Sequence, residues 1–187
     1  MQEGEGTVEA RNGSRRVHRA RTSPLRKGEF LTLVRMSFGM GEGDEDGALR
    51  YTGRVSLHVG PVDFECRGIA HTSNGTVSAL DLAFRDALKR VGQEVPELRL
   101  WPYRIRLSNR AAGIDSPVTV DAKVALNGWR AHPRVQHQDS VTAAAFLLFD
   151  VYDDFLYRRW REHIRVAHLT ETEALDGLRR AANGGDE

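Results

Sequence analysis

Hydrophobic residues recur along this chain with two different periods, and each change of period marks a new element. Apolar residues alternate with polar ones in residues 50–59 and 62–70, and a Gly-Pro pair separates the two segments. Alternation of this kind predicts a β-hairpin with one buried face. The apolar-rich residues 30–38 predict a preceding strand, and the Gly- and acid-rich residues 39–48 predict a loop between them.

The period becomes helical after residue 75. Thr76 is the predicted N-cap, because a threonine there precedes the first periodic apolar position. Asp81 and Arg85 lie on the opposite, polar face, and Gly92 follows the last periodic residue. The apolar positions are Val77, Leu80, Ala83, Phe84, Ala87, Leu88 and Val91. This pattern predicts an amphipathic helix that ends before Gly92.

The same succession of signals then repeats. Residues 98–108 and 117–126 alternate like strands, although a proline near the start of the first indicates an edge strand or a bend. The Asn127-Gly128 pair favours a two-residue hairpin turn. Residues 129–137 are therefore predicted to return as the partner strand.

A second helix is predicted over residues 141–160, with Asp139 or Ser140 as its N-cap. Its first half is apolar almost all round. A helix with that composition is buried on more than one side. We therefore expect it to pack between other elements and not to lie on the surface.

The predicted order is βββα followed by βββα, for which internal duplication is the economical explanation. We predict an α+β fold of duplicated βββα units with pseudo-twofold symmetry, in which helices cover antiparallel sheets. The predicted boundaries are a disordered basic tail at 1–28, a domain at 29–165 with repeats at 29–92 and 97–160, and a C-terminal helix or tail at 166–187.

The two ends of the chain carry weaker signals. Residues 11–27 hold seven Arg or Lys residues and no acid, so this segment is an arm for nucleic acid or acidic surfaces, or a solvated extension. We favour the extension and expect no nucleic-acid partner, because no aromatic residue is present to stack on bases. At residues 169–182, Thr170 and Glu173 have the spacing of a capping box and predict a peripheral helix or frayed tail.

Composition excludes several classes of protein. The chain has 187 residues, of which 40% are hydrophobic and 28% charged, a net charge of +1, and one cysteine. A single thiol rules out a disulfide or a Cys-based zinc site within the chain, and Cys66 falls on the buried period of its strand. No apolar run reaches the roughly 18 residues of a membrane helix. We expect a soluble cytoplasmic protein with no membrane partner.

Other residue clusters give little support for catalysis. Three carboxylates could bind a metal from the second helix, namely Asp150, Asp153 and Asp154. Neighbouring arginines make surface ion pairs the simpler explanation. Two histidine pairs are five residues apart, a spacing that suits ligands on neither a helix nor a strand: His132 with His137, and His163 with His168. We expect no catalytic residue, no metal and no cofactor.

The turn before the first helix resembles the C-terminal regulatory domain of 2-isopropylmalate synthase and the related citramalate synthases. In that family the turn reads as a glycine, a spacer and then Gly-Asn-Gly-Pro-Val-Asp-Ala, and it opens a Leu/Ala-rich helix. The matching positions here are Gly68, Asn74, Gly75, Val77, Ala79 and Leu80. Thr76 replaces the family's proline, and Ser78 replaces its acid or amide. Residues 101–108 are similar to a strand in the family's second half.

This resemblance spans about residues 29–160 and does not include the family's catalytic (β/α)₈ barrel, which needs about 250 residues by itself. It implies a stand-alone, non-catalytic regulatory module that forms a homodimer and binds a branched-chain amino acid, leucine or isoleucine. A separate synthase catalytic subunit is the implied protein partner. Such a helix N-terminus can hold an α-carboxylate. The implied ligand-binding residues are Gly68, Ala70, Asn74, Gly75, Val77 and Ala79 at the first turn, and His137, Asp139, Val141 and Ala143 at the second.

Two alternatives remain open. One is a structural or interaction protein that keeps only the dimerisation role and uses its basic arm for a partner. The other is a small enzyme that binds a divalent metal at the acidic face of the second helix. An effect of leucine, isoleucine or valine on thermal stability would separate the regulatory module from the interaction protein.

Overall fold

A computed structural model describes residues 5–8, 30–42, 49–60, 65–108 and 116–183. The strands in these ranges are β1 (Glu5–Val8), β2 (Leu31–Glu42), β3 (Leu49–Val59), β4 (Glu65–Thr72), β5 (Arg99–Leu107), β6 (Val118–Leu126), β7 (Trp129–Ala131) and β8 (Arg134–His137). The helices are α1 (Thr76–Lys89), α2 (Ser140–Ala167) and α3 (Glu171–Asn183). This is an α+β fold, as predicted.

The strands form two antiparallel sheets. The first sheet has the order β1-β2-β3-β4, and in the second sheet β6 pairs with β5 on one side and with β7 and β8 on the other. The predicted order of βββα followed by βββα is therefore present, with the last strand of the second unit divided at His132-Pro133. Asn127 and Gly128 have φ of 46° and 82°, the positive values that the predicted hairpin turn requires.

The structure differs from prediction at the borders of some elements. Residues 5–8 pair with β2 as an edge strand, although they fall in the segment predicted as a tail. β2 continues to Glu42 because the glycines at the start of the predicted loop pair through their backbones with β3. The remaining predicted loop at 43–48 and the basic segment 9–29 lie outside the described residues.

α2 is the central element of the fold. It contacts β2 of the first sheet, β6 and β8 of the second sheet, and α1. Leu148 and Tyr152 belong to the larger core against the first sheet, whereas Leu147 and Val151 belong to a smaller core against β6. The prediction that the first half of α2 is buried on more than one side is confirmed. The helix continues to Ala167, past its predicted end at residue 160, because Trp160 and Ile164 still pack against the larger core.

α1 packs on the first sheet through backbone contacts at two glycines. A Cβ atom at Gly68 would lie 1.9 Å from the carbonyl oxygen of Ala83, and one at Gly53 would lie 2.4 Å from that of Ala79. No side chain fits between the helix and these two positions. Close approach of α1 to β3 and β4 therefore depends on both glycines.

The single cysteine has a structural role. Cys66 is 1% exposed within the larger core, and its thiol donates a hydrogen bond of 3.3 Å to the carbonyl oxygen of Leu57. Burial raises the pKa of the Cys66 thiol to about 11. The prediction that Cys66 is a small core residue is confirmed.

Candidate functional site

The turn between β4 and α1 is built on a glycine N-cap. The hydroxyl of Thr72 accepts a hydrogen bond of 3.1 Å from the backbone N–H of Asn74. Gly75 follows with φ 97° and ψ 168° and is the N-cap, so the prediction that Thr76 caps α1 is wrong. The positive φ at this position favours glycine. The helix begins at the next residue, Thr76.

The N-terminus of α1 is open to an external acceptor. Among the described residues, no side chain accepts a hydrogen bond at the cap, and the first turn contains no acidic residue. The first backbone hydrogen bond of the helix joins the N–H of Ala79 to the carbonyl oxygen of Gly75, at 3.0 Å. The N–H groups of Thr76, Val77 and Ser78 therefore have no partner within the helix. They lie at the positive end of the helix dipole, which suits an anion.

The turn between β8 and α2 supplies its own anion. Asp139 is the N-cap, one of the two residues predicted, and its carboxylate accepts a hydrogen bond of 2.6 Å from the N–H of Thr142. The N–H of Asp139 donates to Nδ1 of His137, at 3.1 Å. Burial raises the pKa of Asp139, but the hydrogen bonds from Thr142 outweigh it and the pKa falls below its ordinary value. An ionised carboxylate thus occupies this helix N-terminus at neutral pH.

The predicted site residues fall into three groups by their place in the fold and their burial. Those on the two turns are Asn74, Gly75, His137 and Asp139. Those half-buried against the larger core are Ala70, Val77 and Val141. Those fully buried in helix-to-sheet packing are Gly68, Ala79 and Ala143. The small size of the last group is explained by close packing, as the contacts of Gly68 show.

Two polar contacts join α2 to α1 and to the segment that follows α1. The hydroxyl of Tyr152 in α2 donates to the carboxylate of Asp81 in α1. Two turns further along α2, Arg159 donates to the carbonyl oxygen of Glu94, which follows α1, at 2.7 Å. These two contacts indicate that the helices run in the same general direction.

The polar contact between the two helices was not predicted. Asp81 accepts the hydrogen bond from Tyr152 and forms an ion pair with Arg85, at 3.1 Å. Burial raises the pKa of Asp81 despite both partners, and burial together with the charge of Asp81 raises the pKa of Tyr152 well above its ordinary value. The two residues are 71 positions apart, so no local pattern in the sequence links them.

The acidic residues of α2 bind protein groups. A carboxylate oxygen of Asp153 accepts a hydrogen bond of 2.7 Å from the N–H of Leu31, at the start of β2. Asp154 forms an ion pair with Arg158, at 3.1 Å, as expected from the neighbouring arginines. Both aspartates are buried, however, so the prediction of ion pairs on the surface is wrong for them. Within the described ranges, no three His, Cys, Asp or Glu side chains come together in a group that could hold a metal ion.

No helix in the described part of the chain is both long enough and apolar enough to cross a membrane. A scan of the chain against protein-family models matches none of them, and a search of curated proteins finds no relative. The resemblance to synthase regulatory domains therefore rests on the motif of the first turn, on the strand at residues 101–108 and on the order of the elements.

Proposed function

We propose that this chain is a non-catalytic regulatory domain that binds leucine or isoleucine at the β4–α1 turn and forms a homodimer. The proposal follows the resemblance to the leucine-sensing domain of 2-isopropylmalate synthase. The two βββα units, each with a strand-to-helix turn before its helix, support it. A separate synthase catalytic subunit is the protein partner that such a domain would regulate.

The observation that carries the proposal is the uncapped N-terminus of α1. At α2 the equivalent position is filled by the carboxylate of Asp139, which bonds to the N–H of Thr142. The α-carboxylate of an amino acid would take the same place at α1, bonding to the N–H groups that Gly75 leaves uncapped. We therefore assign the ligand to the first turn and not to the second.

The surroundings of the first turn suit the rest of an amino acid. The exposed side chain of Asn74 offers an amide oxygen to the α-ammonium group. Ala70 and Val77 are half-buried at the margin of the larger core and offer apolar contact to a branched side chain. One methylene is worth about 1–3 kcal/mol of discrimination in an apolar pocket, so valine, whose side chain has one carbon fewer, would bind more weakly than leucine or isoleucine.

Thermal unfolding in the presence of leucine, isoleucine and valine tests this function. A ligand at 100 times its dissociation constant adds about 2.7 kcal/mol to the free energy of unfolding. Leucinamide is the matched control, because it keeps the side chain and the amine but lacks the carboxylate. We expect stabilisation by leucine or isoleucine and none by leucinamide. Equal stabilisation by leucinamide, or none by any of the three amino acids, would contradict the proposal.

The second candidate is an interaction protein that keeps only dimerisation. The exposed apolar side chains of the edge strand β5 favour it, since Trp101, Ile105 and Leu107 are 75%, 52% and 53% exposed. In this candidate the buried Gly68, Ala79 and Ala143 have packing roles alone. The basic arm that it would use for a partner lies outside the described residues.

Dimerisation through β5 can be tested by sedimentation velocity of Ile105→Ser. We expect this variant to dissociate into monomers at protein concentrations where the natural chain is dimeric, because it removes apolar area from the exposed strand. Ile69→Ser in β4 is the matched control, since Ile69 is equally exposed at 53% but lies on the first sheet. Dissociation of both variants, or of neither, would argue against β5 as the dimer surface.

A further inference from the structure

β5 is an edge strand of the second sheet. It pairs with β6 on one side, and no strand among the described residues pairs with its other side. Just after β5, the N–H of Ser108 donates to the carbonyl oxygen of Pro117, at 2.7 Å. Because successive backbone groups of a strand point to opposite sides, those of Ile105 and Leu107 point away from β6. An edge of this kind can pair with a further strand.

The corresponding edge of the first sheet is partly blocked. The N–H of Ile69 in β4 donates to a carboxylate oxygen of Asp86 in α1, at 3.1 Å. A charged side chain in that position hinders the approach of another strand. Within the described ranges, the backbone hydrogen bonds of β5 are those to β6, so no side chain blocks this edge in the same way.

The side chains of Ile105 and Leu107 form an uncovered apolar strip on the α2 side of the second sheet. Ile105 lies opposite Val120 of β6, which is 0% exposed in the core beneath α2. Ile105 and Leu107 are themselves half exposed. The cover that α2 gives to β6 therefore does not reach these two residues. Apolar side chains of an added strand would pack beside them.

The opposite face of β5 is basic. The strand contains three arginines, Arg99, Arg104 and Arg106, and no acidic residue. Asp121 of β6 lies opposite Arg104 and forms an ion pair with Arg106, at 3.6 Å. One carboxylate does not neutralise two guanidinium groups, so this face of β5 keeps a positive charge. Acidic side chains on an added strand would complement it.

A second copy of this chain suits the edge less well than an acidic segment does. If two β5 strands paired antiparallel about Ile105, Arg104 of one copy would lie opposite Arg106 of the other. Like charges directly opposite each other are destabilising. The charges of β5 therefore favour a strand of different, acidic composition.

We propose that β5 binds an extended segment of another protein in which acidic and apolar residues alternate. The segment adds a strand to the second sheet and forms hydrogen bonds with the backbone of Ile105 and Leu107. Its acidic residues lie opposite Arg104 and Arg106, and its apolar residues lie on the α2 side. This interaction goes beyond the amino-acid site at the β4–α1 turn and does not depend on it.

Calorimetric titration of the natural chain with the peptide Val-Glu-Val-Glu-Val, blocked at both ends, tests the proposal. We expect saturable binding that weakens with added salt, because exposed ion pairs are screened. The peptide Val-Lys-Val-Lys-Val should bind at least about tenfold more weakly, because it places like charges opposite the arginines. Val-Glu-Pro-Glu-Val should not bind, because proline lacks the N–H that a paired strand donates.

Reversing the charge of β5 should reverse the preference between the peptides. The double variant Arg104→Glu, Arg106→Glu should bind the glutamate peptide at least about tenfold more weakly than the natural chain does, and should prefer the lysine peptide. The matched control is Arg130→Glu, Arg134→Glu, which makes the same change in β7 and β8 on the other side of β6. The control should bind like the natural chain.

The three peptides decide the question with the natural chain alone if the charge-reversed variant does not fold. Equal affinity for the glutamate and lysine peptides, binding of the proline peptide, or no saturable binding would overturn the proposal. An unchanged preference in the folded charge-reversed variant would do the same. A natural chain that is dimeric by sedimentation velocity and does not bind the glutamate peptide would show that a second copy covers β5 instead.

Discussion

The two strand-to-helix turns have the same place in their βββα units but opposite chemistry at the helix N-terminus. At α2 the carboxylate of Asp139 bonds to the first turn of the helix, at 2.6 Å. At α1 the N-cap is Gly75, and no side chain in the described part of the chain takes that position. One N-terminus is thus satisfied from within the chain, while the other remains available to a ligand. The difference indicates which of two similar turns would bind an external carboxylate.

The helices also differ in how they approach their sheets. α1 meets the first sheet at Gly53 and Gly68, where backbone touches backbone. α2 meets the second sheet through side chains, with Ala143 and Leu147 against Val120 and Val124. Glycines allow close backbone packing under α1, whereas Ala143 is part of a core of side chains under α2. A small residue near a predicted site is therefore weak evidence of ligand contact until its packing is known.

The largest expected effect on stability comes from adding a side chain at Gly68, beneath α1. Gly68→Ala should lower the free energy of unfolding by about 3 kcal/mol, because the new Cβ would collide with the backbone of the helix. Gly39→Ala in β2 is the control, since a Cβ there meets nothing within 4 Å. Urea denaturation measures both variants. A Gly68→Ala protein as stable as the control would show that α1 can move away from β4 at little cost.

A smaller effect is expected from removing the internal anion at α2. Asp139→Ala should cost about 1 kcal/mol of stability at pH 7, the usual value of an N-cap. The pKa of Asp139 is lowered in the folded chain from the ordinary 3.8, so this contribution is present above that value and is lost as pH falls through the lowered pKa. The difference between the natural chain and the variant should therefore shrink in acid unfolding experiments.

Asp139→Asn keeps a side-chain acceptor for the N-cap hydrogen bond but removes the negative charge. Asparagine caps a helix about as well as aspartate does, so we expect Asp139→Asn to be more stable than Asp139→Ala at pH 7. Its stability should vary less than that of the natural chain as the pH is lowered. If alanine and asparagine cost the same, the hydrogen bond to Thr142 contributes little and the two turns are more alike than the geometry indicates.

The smallest expected change in stability comes from giving α1 an anion of its own. Ser78→Glu places a carboxylate in the first turn, where it interacts favourably with the helix dipole and should add about 0.3–1 kcal/mol. The same carboxylate would repel an incoming amino acid. Ser78→Gln is the uncharged control and should gain less stability. Equal stability of the two variants in urea denaturation would show that the N-terminus of α1 has no preference for negative charge.

Local patterns were enough to predict much of this fold. The alternating and helical periods predicted both βββα units, Asn127-Gly128 predicted a hairpin turn, and Asp139 was one of two predicted caps. Thr170 and Glu173 form the predicted capping box at α3, since Glu173 accepts from the N–H of Thr170 and donates its own N–H to the threonine hydroxyl. Each of these signals involves residues close together in the chain.

The features that were missed depend on contacts between distant segments. Gly68 was assigned to ligand binding by resemblance, and only the position of Ala83 above it explains its size. The pairing of Asp81 with Tyr152 joins two helices, so neither helical pattern could predict it. At the candidate site, the turn itself was located correctly, but the glycine cap depends on a backbone conformation that the sequence does not specify.

Calorimetric titration of leucine into the natural chain and into one variant of each turn tests the central claim most directly. The natural chain and Asp139→Ala should bind leucine with similar affinity, because the ligand is assigned to α1. Ser78→Glu should bind it at least about tenfold more weakly, the effect of about 1.4 kcal/mol of repulsion. Undiminished binding by Ser78→Glu, or loss of binding in Asp139→Ala alone, would contradict the account and place the ligand elsewhere.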